Sequence, residues 1–256
     1  MKRLLPLLAA IALMVTATAC FGSTSASALQ PTLQFSSSPT LTPADRFDFP
    51  LDPTRFGPYV QYVTGPLNVD TRFGVQNPGL GGAGKCFVDR QLDRVAFDKL
   101  YHAGEDWFAF DTHGQVVWEL AADAPVTAVA HGMISWTQPT GGDGDIVVIE
   151  HALRAGPQVW SAYWHLDHVT VVRGQVVQRG DLIGRILNRG ANSHLHWEIR
   201  TWADGTELFS SDSAGGRGAC NGRVPGLGYT WDDTASRAAP QAWGYLDPTQ
   251  FIREHH

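Results

Sequence analysis

From about residue 100 the chain reads as short runs of β-branched and aromatic residues parted by Gly, Asp or Asn: VTAVA at 126–130, GMISW at 132–136, IVVI at 146–149, WSAYW at 160–164 and LHWEI at 195–199. Runs of this length without a helical period predict strands. We expect an all-β fold, an antiparallel sheet core with long loops and little helix. The piece at 171–186 should form tight hairpins around Arg173-Gly174 and Arg179-Gly180. Upstream, residues 47–99 are rich in Pro, Gly, Asp and aromatics and predict a loop-rich wrapping segment. Residues 21–46 are Ser, Thr, Ala and Pro with few charges, the composition of a flexible tether. Past Trp202 a polar Gly/Ser/Asp stretch reads as a loop insertion, 203–238, within a domain spanning 100–256. Gly244 to Pro248 reads as a last turn packed on the core.

The amino terminus has a different pattern. Lys2 and Arg3 precede an apolar run from Leu4 to Val15 and then small residues up to Cys20, which reads as an export signal over 1–20 and is short for a membrane span. Cleavage before Cys20 would leave that cysteine for a lipid anchor, and cleavage after Ala26-Ser27-Ala28 would leave a soluble secreted chain. The expected location is therefore exported, periplasmic or extracellular, with membrane contact only through a lipid on Cys20. Cys86 and Cys220 are then an even pair in an oxidising compartment, which favours a disulfide over two buried thiols.

Composition narrows the partners. The hydrophobic fraction of 43% is ample for a core, and the formal charge is −6. Losing Lys2 and Arg3 with the signal takes that charge to −8, a poor balance for nucleic acid. No polybasic patch points to anionic polymers or lipid.

Candidate chemistry lies in two strand-like motifs. In an extended strand, residues two or four apart share a face, so His102, Gly104 and Asp106 of HAGED point one way, with Gly104 leaving a notch between two ligand-type side chains. His194 and His196 of HLHWE share a face in the same way, with Leu195 and Trp197 opposite and Glu198 on the side of His196. Either motif alone is unspecific in a chain with ten His. His165 stands on a third such run. Glu105 should face away from the ligands, into solvent. Trp107, Trp136, Trp164 and Trp197 flank these motifs as core or as groove walls. His151 should make a structural hydrogen bond, and His113, His131, His168, His255 and His256 should be ordinary polar residues.

Taken together, His-x-Gly-x-Asp at 102–106, the strand and turn at 125–132, Ile149-Glu150-His151, Tyr-x-His-Leu at 163–166, the glycine-punctuated 174–184 and His-Leu-His-x-Glu at 194–198 resemble the lysostaphin-type zinc endopeptidases, the LytM-like group that cleaves peptidoglycan peptides. The likeness covers residues 100–200. It implies one Zn2+ per chain on His102, Asp106 and His196, His165 and His194 as catalytic residues, a peptidoglycan peptide as substrate, and a monomer. Glu198 would orient a ligand from behind or remain a strand charge. The stretch 188–193 departs from the family pattern, lacking its Gly-Pro before His-Leu-His. The other reading is a non-catalytic wall-binding or hydrolase-activating module, although such relatives lose ligands that are all present here. In some relatives an amino-terminal segment fills the open metal position, and Asn77 or Asp89 of 47–99 would be the residue to do so.

Overall fold

A computed structural model describes residues 41–62, 68–76, 83–85, 94–96, 100–139, 144–202, 228–231 and 240–256. Cys20, Cys86, Cys220, Asn77, Asp89 and nearly all of the 21–46 tether lie outside them. No described helix is long and apolar enough to cross a membrane.

The strands expected from the sequence form one antiparallel ten-stranded sheet. In chain order the described strands are β1 (Phe56–Gly57), β2 (Val60–Tyr62), β3 (Asn68–Asp70), β4 (Ala83–Lys85), β5 (Arg94–Ala96), β6 (Leu100–His102), β7 (Glu105–Ala109) and β8 (Pro125–Thr127). They continue with β9 (Gly132–Pro139), β10 (Asp145–His151), β11 (Val159–Asp167), β12 (Val176–Val177), β13 (Leu182–Ile186), β14 (Leu195–Arg200), β15 (Tyr229–Trp231) and β16 (Tyr245–Leu246). The main path runs β1-β7-β14-β11-β10-β9-β12, with β13 on β11 and β8, and β16 on β14. Separate pairs join β6 to β15, β2 to β3 and β4 to β5.

Alternation along the central strands sorts side chains onto two faces. Trp107, Tyr163, Leu195, Trp197 and Ile199 enter the main core with Ile134, Val147 and Ile149. The other face holds a smaller cluster of Ile146, Val148, Trp160, Ala162 and Trp164. Trp107 and Trp197 are therefore core rather than groove walls.

The expected hairpins at 171–186 are corrected. Gly174 and Gly180 make the turns, each at a φ of 84°, where a side chain would be strained. The flanking strands do not pair with each other, however, since β12 lies on β9 and β13 on β11 and β8. Helix α1 (Pro248–Glu254) extends what reads as a mere final turn. Asp247 caps it by accepting from Gln250 N–H at 2.8 Å. Pro248 fits the first turn, where no amide is needed. The ordered domain also begins earlier than residue 47. Ala44 is buried, and its N–H donates to the Ala152 carbonyl at 2.8 Å.

Candidate metal centre

Asp106 and His196 face each other across the β7-β14 pair, and His102 stands at the end of β6. The two halves of HAGED are not one extended strand. A bend at Ala103 and Gly104 separates β6 from β7 and turns His102 back toward its neighbours. Glycine is required at the bend because a Cβ at 104 would lie 2.3 Å from the Trp197 carbonyl oxygen and 3.0 Å from His196 Nε2.

Three ligand-type atoms converge. His102 Nε2 lies 3.1 Å from His196 Nδ1 and 3.2 Å from Asp106 Oδ1, and His196 Nδ1 lies 2.7 Å from that oxygen. The outer ring nitrogens set the tautomers. His102 Nδ1–H donates to the Arg72 carbonyl at 3.3 Å, and His196 Nε2–H donates to Glu198 Oε1 at 3.0 Å. Both inner nitrogens are then acceptors facing a carboxylate, an arrangement that repels itself without a cation between its members. Tetrahedral zinc with bonds of about 2.0–2.1 Å sets its ligands about 3.3–3.4 Å apart, close to the 3.1 and 3.2 Å separations and wider than the 2.7 Å one, which would have to open. Among the described residues these three form the group that could hold a metal ion, and in donor type and spacing they fit zinc.

The electrostatics point the same way. Burial opposes the Asp106 charge, but the histidines around it prevail and hold its carboxyl well below the ordinary value. Burial likewise opposes a charged His196, yet hydrogen bonds to Asp106 and Glu198 raise it to about 9. Without an ion, protons take the cation's place.

Glu198 is not a solvated strand charge. It is fully buried behind His196, with Oε2 3.4 Å from Arg200 Nε. Arg200 is also fully buried and lies 4.6 Å from the Trp202 ring centre. Glu105, expected in solvent, is corrected. It is buried on the opposite face, accepting from Trp107 Nε1–H and the Thr249 hydroxyl at 2.8 Å each, and burial raises its carboxyl.

The two further histidines lie beside this group. His194 Nδ1–H donates to the Asn192 carbonyl at 2.8 Å, leaving Nε2 as an acceptor 3.8 Å from Asp106 Oδ1. Burial lowers its pKa, and its ring stacks on Phe108 at 4.9 Å. His165 arrives by a bulge. Tyr163 pairs with Val147 and Leu166 with Asp145, so β11 carries one residue more than β10 there. The bulge keeps both Tyr163 and Leu166 in the core and releases His165, at a φ of 59°, to meet His194 edge-on at 4.8 Å. A regular alternation would have sent His165 into the core, so the sequence pattern alone could not place it. Sequence reading also missed Phe108, the Arg72 carbonyl and Arg189. No local pattern marks the first two, whereas Arg189 sits in the stretch that departs from the family pattern.

Comparison with protein families matches residues 111–208 to the model of peptidase family M23, a span holding His165, His194 and His196 and starting just after His102 and Asp106. No curated protein matches significantly. Among solved structures, a zinc-containing peptidase from Vibrio cholerae shares 23% identity, covering 61% of this chain and 37% of that one, at a TM-score of 0.36. The catalytic domain of the antimicrobial peptidase lysostaphin from Staphylococcus simulans shares 19%, covering 46% and 80%, at 0.32. CbpA from L. salivarius REN shares 19%, covering 82% and 97%, at 0.41. The chain thus spans little more than a third of the Vibrio cholerae protein's length.

Proposed function

We propose, on the premise that residues 111–208 match the model of peptidase family M23, that the chain is an exported zinc-dependent endopeptidase hydrolysing peptide bonds in peptidoglycan. The observation that carries this reading is the convergence of His102 Nε2, His196 Nδ1 and Asp106 Oδ1, three acceptors within 3.2 Å of one another. They would hold one Zn2+ with a net site charge of +1. When bound, zinc supplies a Lewis acid for the scissile carbonyl and brings the pKa of a water toward about 7.

The rest of the work falls to this chain's own groups. His194, with its Nδ1–H held by the Asn192 carbonyl, presents Nε2 as the base that takes a proton from the attacking water. His165 stands beside it to donate to the substrate carbonyl oxygen as negative charge grows there. As the carbon–nitrogen bond breaks, the proton held by His194 passes to the leaving amine. Glu198 keeps His196 in the tautomer that aims Nδ1 at the ion. The disulfide between Cys86 and Cys220, the lipid on Cys20 and the monomeric state belong to the same proposal.

Zinc content and digestion of purified peptidoglycan test this reading together. Wild type should carry one zinc and release new amino termini from peptidoglycan, and His102→Ala should do neither. Metal-free wild type with the fold intact would overturn the enzyme reading. Zinc-bound protein that cuts other peptides but leaves peptidoglycan intact would overturn the substrate.

A further inference from the structure

Strand β7 has a second face, and a cavity lies against it. Alternation turns Asp106 toward His102 and His196 and turns Glu105 and Trp107 the other way. Both of the latter line a cavity of about 820 Å³ between the chain at 49–58, β7 and the start of α1. Phe49, Phe73 and Phe110 stand on its walls with Trp107, whose ring lies 5.2 Å from that of Phe49. Exposed Pro53 and Gln250 mark its mouth. A space of this size, mostly aromatic and with a few polar groups, has the character of a small-ligand site.

Glu105 is the polar group that the lining leaves incomplete. It is only 3% exposed. Its Oε2 accepts from Trp107 Nε1–H and the Thr249 hydroxyl, while Oε1 accepts from none of the described residues. Oε1 is not among the buried atoms sealed from solvent, so it opens on the cavity. Both donors to Glu105 are neutral, and Asp247, also in the lining, adds a second negative charge nearby. Of the two arginines at the edge, Arg72 pairs with Asp70 and Arg253 is exposed on the last turn of α1. A buried carboxylate with neutral donors alone lacks a counter-charge. Aromatic faces attract the same kind of partner, because the ring quadrupole is negative over its face. An ammonium on an apolar stem meets both demands, with N–H groups toward Oε1 and methylenes against the rings. An anion would face two carboxylates, and a wholly apolar molecule would leave Oε1 covered without a donor.

We propose that this cavity is a binding site for an organic ammonium ion, with Glu105 as its counter-charge and Phe49, Trp107 and Phe110 as its walls. The site is separate from the metal centre and independent of the peptidase reading. A free small amine and the amino side chain of a wall peptide both carry the required group.

The test follows the Trp107 indole N–H resonance of the full chain, which reports on the bond to Glu105, during titration with n-butylammonium or with n-butanol, a neutral ligand of the same length. Butylammonium should shift this resonance with a Kd on the order of 1 mM, and n-butanol should bind at least about tenfold more weakly. Glu105→Gln, whose amide oxygen still accepts from Trp107 and Thr249, should bring the two ligands level. Phe110→Ala leaves Glu105 intact and should weaken butylammonium about two- to fivefold, which decides the matter where Glu105→Gln does not fold. Equal affinity of wild type for both ligands, an ammonium affinity that survives these substitutions, or shifts confined to His102 and His196 would overturn the proposal. A soluble muropeptide with a free side-chain amine, set against its N-acetylated form, identifies the source. Competition with butylammonium by the free amine alone assigns the site to wall peptides, and competition by neither assigns it to a small amine. Equal competition by both forms would overturn the ammonium as the group recognised.

Discussion

His151 shows how a single buried side chain sets a pH limit on this fold. Its Nδ1–H donates to the His131 carbonyl at 2.9 Å, and Nε2 lies 2.8 Å from Ser161 Oγ, itself 2.9 Å from the Tyr163 hydroxyl, which accepts from Val129 N–H at 3.1 Å. With His151 neutral, Tyr163 donates to Ser161 and Ser161 to His151, so every proton has an acceptor. A second proton on His151 would reverse this chain and strand the Tyr163 hydroxyl hydrogen. Burial accordingly lowers His151 to about 4. Between that value and about 6.5 the unfolded chain binds a proton that the folded one refuses, so stability falls as pH drops through this window. The loss totals about 3 kcal/mol by pH 4. Urea unfolding at pH 7.5 and 5 should show wild type losing about 2 kcal/mol more than His151→Gln, which has no proton to gain. Parallel losses in the two proteins would refute this account. Gly104 gives a second prediction at this scale. Gly104→Ala puts a methyl 2.3 Å from a backbone oxygen of β14, so β7 and β14 must part. Zinc affinity should then fall at least about tenfold while the far-UV spectrum stays that of a folded sheet. Unchanged affinity would mean that the bend has room to spare.

At the scale of elements, β14 does two jobs by alternation. Leu195, Trp197 and Ile199 fill the core, and His196, Glu198 and Arg200 line the other face, every one of the six buried. A carboxylate behind a metal-binding imidazole orients the ring and raises its basicity. Glu198→Gln keeps the shape but removes the charge, so zinc affinity measured against a chelator should drop about 10- to 100-fold with the fold retained. Affinity equal to wild type would assign Glu198 to pairing with Arg200 alone. This element was readable from sequence because the period of two is local: LHWEIR states which residues turn inward and which meet the ligands. HAGED was readable only in part. Its residue types name a site, but the bend between His102 and Asp106 arises from the partner strand pressing on Gly104. His165 was named by resemblance and not by pattern, since a bulge is a property of two strands together. Glu105 was misread because alternation says only that it turns away from Asp106. The shelter that Trp107 and Thr249 give it depends on residues distant in sequence.

Over the whole molecule, described residues ahead of β6 are bonded to the elements that carry the candidate metal centre. Phe47 is buried with its ring edge-on to His151 at 5.2 Å and to Phe251 at 5.0 Å, tying the chain's entry to helix α1 near its end. β1 pairs with β7, the strand of Asp106. Thr71 and Asp106 exchange backbone and side-chain bonds at 3.0 Å, and the carbonyls of Arg72 and Val75 take the Nδ1–H and backbone N–H of His102. Two of the three proposed ligands, His102 and Asp106, are thus positioned from residues 71–75. A latent enzyme whose 47–99 segment merely blocked the metal would gain activity when cut before Leu100. These bonds demand the opposite result. A chain beginning at Leu41 should match the full-length protein in melting temperature and zinc affinity, and one beginning at Leu100 should fail to fold or bind zinc at least about tenfold more weakly. Phe47→Ala, which leaves the site untouched, should cost about 3–5 kcal/mol in stability with zinc stoichiometry unchanged. If the Leu100 chain instead proves folded and more active than the full chain, the bonds from residues 71–75 are dispensable, and 47–99 acts as an inhibitor laid over a self-sufficient site.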